Sequence, residues 1–331
     1  MENNITNQPT WVKTGKQILD LKLTEVPTLV TPIIPKYGAI SLAGSSDLGK
    51  SYLLLQLAHA IITGSENFLG FKLNASHNSV IYLSTEDDEY SLCPRLTNMS
   101  KEITNLSNYD NLRVLFETKD LIKRLDSLLT SKSADIVIID TFTDVFDGDM
   151  NQANKVRSFI QQFKELGVKH KTLLIFNHHC GKKNDYRAPH KDNLLGSQGF
   201  ESSMRVVFEL RKDFNNPEIR HLCIVKGNYL TEEYKNSSFA LHFNFKDGFR
   251  NTGTRTNFDK LIKSEDQQHL KNAKRERVLA LKESGLSYRQ ISEKLKEEGI
   301  EVSKTVVGDI CNYNCPSVLI PLEKTSDGQA A

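Results

Sequence analysis

Residues 43–58 read AGSSDLGKSYLLLQLA, and the fold turns on this stretch. Gly44, four further residues, then Gly49-Lys50-Ser51 fit the spacing G-x-x-x-x-G-K-[ST]. The preceding run YGAISLAG (37–44) reads as a strand, and the apolar residues after Lys50 read as a helix. Strand, loop and helix N-terminus in that order wrap successive backbone N–H groups and the positive end of a helix around an anion. Gly44, Ser45, Ser46, Asp47, Leu48, Gly49, Lys50, Ser51 and Tyr52 are therefore expected to cradle a nucleotide phosphate. Lys50 would reach the β- and γ-phosphates, and the Ser51 hydroxyl would hold Mg²⁺. The middle of the loop carries no glycine, so the glycine-rich character of such loops is only loosely met there.

Working outward, further apolar runs follow at SVIYLST (79–85), NLRVLFE (111–117), ADIVIID (134–140) and KTLLIFNHH (171–179). Near-continuous apolar runs suit strands buried on both faces of a parallel sheet. Residues 119–130 and 151–168 between them carry helical spacing. VVFEL, RHLCIV and FALHFNF come at shorter gaps and predict later, partly antiparallel strands. The expected fold class is α/β, a twisted, mostly parallel sheet flanked by helices, with a small all-α domain behind it.

Several side chains at strand ends have chemistry to offer. Asp140 closes the run Ile136–Ile139, where a phosphate-loop protein places its second metal carboxylate. Glu86, in STEDDEY (84–90), could orient a water against a γ-phosphate. In the same stretch Ser84 or Thr85 could cap a helix, with Asp87 to Glu89 complementing its dipole. In FNHHCGKK (176–183), His178 or His179 could touch the γ-phosphate and report its state. Zinc is not expected there, because adjacent strand residues face opposite ways and no further ligand has suitable spacing.

These four elements, in this order, resemble the RecA-like ATPases, and within them the RepA-type hexameric replicative helicases of plasmids. The resemblance covers about residues 25–245 and rests on LAGSSDLGKSYLLLQLA, VIYLSTEDDEYSLCPRL, VIIDTFTDV, NHHCGKK and GSQGFESSMRVVFEL. It implies ATP and Mg²⁺ as ligands, Glu86 as catalytic base, Asp140 as metal carboxylate and His178 as sensor. It also implies a ring with ATP at subunit interfaces, where a neighbour's Arg205 or Lys226 meets the γ-phosphate. In such rings the loop after the sensor strand lines a central channel and touches single-stranded DNA. Here GKKNDYRAPHKDNLLGSQ (181–198) carries Lys182, Lys183, Arg187 and Lys191, with Tyr186 and His190 among them, which suits a sugar–phosphate backbone and stacked bases.

Beyond the core, 248–272 is polar and lacks a strong period, and is expected to be a linker. Residues 273–316 show helical patterns resembling a helix-turn-helix of the resolvase or transposase sort. Leu286, Ile291 and Leu295 would form its core, and Val302, Val306, Val307 and Ile310 would seat the last helix. Ser287 and Ser303 would cap helices, Arg289 would contact phosphate, and Lys304 and Thr305 would face a major groove. A protein-docking role for these helices stays open. Residues 1–24, with the single tryptophan Trp11, form an N-terminal segment, 25–247 the ATPase domain and 317–331 a frayed tail.

A net charge of +2 over 331 residues excludes a uniformly basic nucleic-acid binder, so any basic footprint is local. The five cysteines form no CxxC pair, the start MENNITNQPTW holds no apolar signal core, and no apolar run reaches membrane-spanning length. A cytoplasmic protein without a membrane partner is expected. The reading that follows is an ATP-dependent DNA motor, a hexameric helicase in replication of a plasmid or mobile element. A site-specific DNA-binding ATPase switch and a recombinase-type filament remain as alternatives.

Overall fold

A computed structural model describes residues 12–181, 186–196, 198–263, 265–298, 300 and 302–312, with 265–272 and 312 by backbone alone. Trp11, Lys182, Lys183 and the expected tail at 317–331 lie outside the described residues. The chain divides into two compact units, one ending at Ile262 and the other starting at Lys263.

The first unit is built on a nine-stranded sheet. Its strands are β1 (Gly38–Gly44), β2 (Val80–Ser84), β3 (Leu112–Leu115), β4 (Ile136–Asp140), β5 (Leu173–His179), β6 (Val206–Lys212), β7 (Ile219–Gly227), β8 (Ser237–Asn244) and β9 (Gly248–Asn257). They lie in the order β9-β8-β7-β6-β1-β5-β4-β2-β3. From β6 to β3 every pairing is parallel, and β7, β8 and β9 add on antiparallel. All six parallel strands therefore end on one edge, where the chain order reverses about β1, and that edge is where ligands bind in such sheets.

Period-two alternation sorts the apolar runs onto two faces. Ile40, Ile136, Ile138, Leu173 and Ile175 pack beneath helix α1 (Lys50–Ile62) and its Leu53, Leu54, Leu57 and Ile61. Val137, Ile139, Leu174 and Phe176 pack on the other side against Leu125, Leu129, Ile160 and Phe163. Those partners come from α3 (Leu121–Ser131) and α4 (Ala153–His170), while α2 (Glu89–Met99) follows β2. Covered on both faces, these strands need apolar residues at every position, which is why they read as unbroken runs. A small ribbon, Thr28–Val30 paired with Ile34–Pro35, precedes β1.

The expected linker 248–272 is corrected by β9. Residues 248–257 pair along β8 from Asn244↔Gly248 to Ser237↔Asn257. A tight turn joins the two, with the Asn244 side chain accepting from the backbone N–H of Lys246 and Asp247, and Gly248 at φ +73. β9 is an edge strand whose side chains mostly face solvent, so its Thr/Arg pattern lacks an apolar signature. The first compact unit thus runs past residue 247 to Ile262.

The second unit holds α6 (Glu265–Glu283), α7 (Tyr288–Glu297) and α8 (Lys304–Asn312). Val278, Leu281, Ile291, Leu295 and Val307 form its core, with Leu286, Val302 and Ile310 packed against them. Ser287 caps α7 in a reciprocal box with Gln290, and the backbone N–H of Val306 donates to the Ser303 hydroxyl at 3.4 Å. Val306 does not seat α8 as expected: it is 46% exposed, because one residue's 100° rotation gives the buried position to Val307. No described helix is long and apolar enough to cross a membrane.

Candidate functional site

The loop between β1 and α1 needs its glycines for space as much as for conformation. A Cβ on Gly44 would lie 2.6 Å from the Leu210 carbonyl oxygen, since β1 and β6 run side by side there. Gly49 stands at φ +85 against the Phe243 and Phe249 rings and caps α1 without a side-chain hydrogen bond, so the helix presents open N–H groups. Lys50, itself buried, folds back and donates from Nζ to the Ser45 carbonyl at 2.7 Å. Burial lowers its pKa, and nearby Cys180, Asp140, Glu86 and Asp47 oppose that shift.

A cleft of about 300 Å³ opens beside this loop, lined by residues 46–52, Glu86, Asp87, Arg95, Asn177, His179 and Phe245. Asp140 sits beneath it, buried, accepting from the Tyr82 hydroxyl and the Asn177 amide. Burial and the Asp140 charge push the Tyr82 pKa well up, so Tyr82 stays a donor. Asn177 Oδ1 is buried and has no hydrogen-bond partner. Glu86 lies at the mouth, its carboxylate 3.7 Å from His179 Nε2 and more than half exposed. Its neighbours are occupied otherwise. Asp87 holds Arg95 through both terminal guanidinium nitrogens, Nη1 and Nη2, and Asp88 caps α2 by accepting from the Ser91 N–H at 2.8 Å. Asp88 is thus the cap, in place of the expected Ser84 or Thr85. Thr85 instead ties β2 to the end of β4, its N–H donating to the Asp140 carbonyl at 2.8 Å.

His178 does not face the cleft, and the expected sensor position is corrected. On β5, residues 173, 175, 177 and 179 lie on the α1 side, and 174, 176 and 178 lie on the other. The His178 ring packs between Phe142 and Phe200, fully buried, and its Nε2 donates to the Leu195 carbonyl at 2.7 Å. Burial drives its pKa down to about 4, against the pull of that carbonyl, so the ring is neutral. Asn177 and His179 hold the cleft-facing places.

The loop after β5 is pinned at its base. The Leu195 N–H donates to the His179 carbonyl at 2.9 Å, Cys180 bridges Leu194, and the Gly181 N–H donates to the Asn193 carbonyl at 3.0 Å. A buried pair on β6 supports it from below. Glu209 accepts from the His190 N–H and the Asn193 amide, each at 3.1 Å, and Arg211 donates to the Arg187 carbonyl at 2.6 Å. Tyr186, Arg187 and Lys191 are exposed on this loop.

Arg205 and Lys226 lie at the opposite end of the sheet, remote from their own phosphate loop. Arg205 immediately precedes β6 and donates to the Tyr37 carbonyl at 3.3 Å, and Lys226 pairs with Val207. In the second unit Arg289 is exposed and pairs with Glu293 at 3.1 Å, and Lys304 and Thr305 are exposed at the start of α8.

Composition and spacing had no means of singling out Tyr82, Arg95 or Phe245. Strand alternation alone would have favoured Asn177 and His179 over His178. Phe245, three-quarters exposed on the β8–β9 turn, reaches the cleft because Tyr52 and Asn98 donate to its carbonyl at 3.3 and 3.1 Å.

A family model described as an AAA domain matches residues 8–185, more than half of the chain. The matched stretch takes in the phosphate loop, Glu86, Asp140, Asn177 and His179, and stops before Arg205. No curated protein matches the chain.

Proposed function

The chain belongs to the AAA-domain family of P-loop ATPases, and from that premise we propose that it is an ATP-driven DNA motor. In this reading it is a ring-forming, hexameric helicase of the RepA type that serves replication of a plasmid or mobile element. One observation carries the proposal: the end of β5 has two sides with two duties. His179 faces the cleft and Glu86, while His178 and the His179 carbonyl hold Leu195 at the base of the basic loop. A change at the γ-phosphate is therefore one strand-width from the loop that would grip a single strand.

The chemistry is attack of water on the γ-phosphorus. Glu86 takes the water's proton as the new P–O bond forms, the bond to the bridging β–γ oxygen breaks, and ADP leaves with that oxygen. Lys50 leaves Ser45 to neutralise the phosphates, and the α1 N-terminus adds its dipole. His179 takes the sensor role. Mg²⁺ fits the residues present, because Ser51 offers a hydroxyl, Asp140 a carboxylate held by two donors, and Asn177 a buried oxygen that lacks a partner. When bound, the ion would neutralise charge on the β- and γ-phosphates. Arg95 and Phe245 also line the cleft and would offer a cation and an aromatic face to the base of ATP. Arg205 or Lys226, far from their own cleft, would act on a neighbour's.

The test is steady-state ATP hydrolysis by wild type and Glu86→Gln with no DNA, single-stranded DNA and duplex DNA. Single strands should stimulate wild type, and the variant should lose roughly 10²–10⁴-fold in kcat while still binding ATP. Stimulation by one particular duplex alone would favour a second reading, a DNA-bound ATP switch without unwinding. The capped three-helix unit, with Lys304 and Thr305 exposed at the start of α8, supports that second reading.

A further inference from the structure

We infer that Glu201 is a positioning residue, a latch that keeps Lys226 from a neighbour's γ-phosphate until a DNA strand occupies the basic loop. The inference rests on the proposed motor function and names a regulation within it. Glu201 lies on α5 (Gln198–Ser203), the short helix that follows the loop. Its carboxylate, 14% exposed, meets Lys226 Nζ at 2.9 Å, and its own carbonyl accepts from the same Nζ at 2.9 Å. Two of the three ammonium N–H groups are thus held by one residue. A lysine gripped twice at low exposure cannot also reach across a subunit boundary. Arg205 differs, being exposed and hydrogen-bonded to the Tyr37 carbonyl at 3.3 Å.

The backbone is shaped for this contact. Val207 pairs with Lys226 and Phe208 with Ile224, so Val225 has no opposite number and β7 bulges beside Lys226. A bulge turns the adjacent side chain out of the regular pleat, and here it delivers Lys226 to α5. On the other side, α5 is pressed onto the start of α4: a Cβ at Gly199 would lie 2.4 Å from the Ala153 carbonyl oxygen. Gly196, at φ +94, marks a sharp change of chain direction just ahead of α5.

The same carboxylate oxygen that holds Lys226 also faces the loop, with Lys191 Nζ 4.0 Å away. Strand phosphates that draw Lys191 outward would compete with Glu201 for it, and the loop would carry α5 along because the two are contiguous. Loss of the carboxylate's seat frees Lys226. Strand binding and release of the cation thereby become one movement.

The experiment is steady-state hydrolysis by the full-length protein, with and without oligo-dT, for wild type, Glu201→Gln, Glu201→Asp, Lys226→Ala and the double variant Glu201→Gln/Lys226→Ala. Glu201→Gln keeps the shape and removes the charge. It should raise the DNA-free kcat about fivefold with KM for ATP unchanged, and lower the stimulation ratio by the same factor. Glu201→Asp, which keeps the charge, should restore the low DNA-free rate, and the double variant should lose the gain. A wild-type DNA-free rate in Glu201→Gln, with Lys226→Ala defective, overturns the latch and leaves the cation role standing. A fully stimulated rate in Lys226→Ala overturns the cation role and the latch with it. Should Glu201→Gln not fold, amine labelling of Lys226 in wild type decides: labelling should rise when oligo-dT is added, and equal labelling overturns the latch.

Discussion

At the residue scale, space and burial decide more than chemical type. Gly44 is constrained by β6, whose Leu210 carbonyl lies 2.6 Å from where a Cβ would be. Gly44→Ala should therefore push the two central strands apart at the phosphate loop. The expected cost is about 1–3 kcal/mol of stability together with weaker ATP binding, read by urea unfolding and nucleotide titration. His178 answers to pH. Its folded-state pKa of about 4 lies below the ordinary 6.5, so the neutral ring's contribution is complete above pH 6.5 and is lost as pH falls towards 4. The full loss amounts to about 3 kcal/mol. Between pH 7 and pH 5 wild type should lose more stability than His178→Gln in parallel urea titrations. Equal losses would assign the acid sensitivity elsewhere, with His59 next, since burial lowers its pKa too.

At the element scale, legibility followed burial. The parallel strands were plain in the sequence because helices on both faces demand apolar side chains throughout. The phosphate loop was plain because its glycines, lysine and serine follow from phosphate geometry. β9 was hidden for the converse reason: its side chains mostly meet water, so Thr252, Thr254 and Thr256 carry no packing signal. His178 was misplaced because a motif gives position along a strand and says nothing of the face, which Leu174 and Phe176 reveal once their packing is known. Arg95 and Phe245 were out of reach, since only tertiary folding brings α2 and the β8–β9 turn to the same cleft. Helix ends were legible where capping chemistry is local. Ser287 and Gln290 satisfy each other's backbone N–H groups, so Ser287→Ala should cost the second unit about 1 kcal/mol. Hydrogen exchange of residues 288–297 should speed up accordingly while ATP hydrolysis in the first unit is untouched.

At the scale of the whole molecule, the cleft and the candidate trans cations occupy opposite ends of one sheet. The carboxyl ends of β1, β2, β4 and β5 carry the phosphate loop, Glu86, Asp140 and His179, and the far end carries Arg205 and Lys226. No movement within a rigid nine-stranded sheet brings the two ends together. A head-to-tail arrangement of copies would do so directly, as a ring where the repeated rotation closes and as a filament where it does not. This predicts complementation between two defective proteins. Glu86→Gln lacks the proposed base and keeps Lys226, whereas Lys226→Ala keeps Glu86 and lacks the proposed cation. Where the cleft of a Lys226→Ala subunit meets the far end of a Glu86→Gln subunit, every group is wild type. Mixing the two should restore hydrolysis to a sizeable fraction of wild type, greatest near equal proportions, with neither protein active alone. A flat response across all mixing ratios, measured with subunits allowed to exchange, would place the cation's action within its own chain. The head-to-tail site would then have to be abandoned.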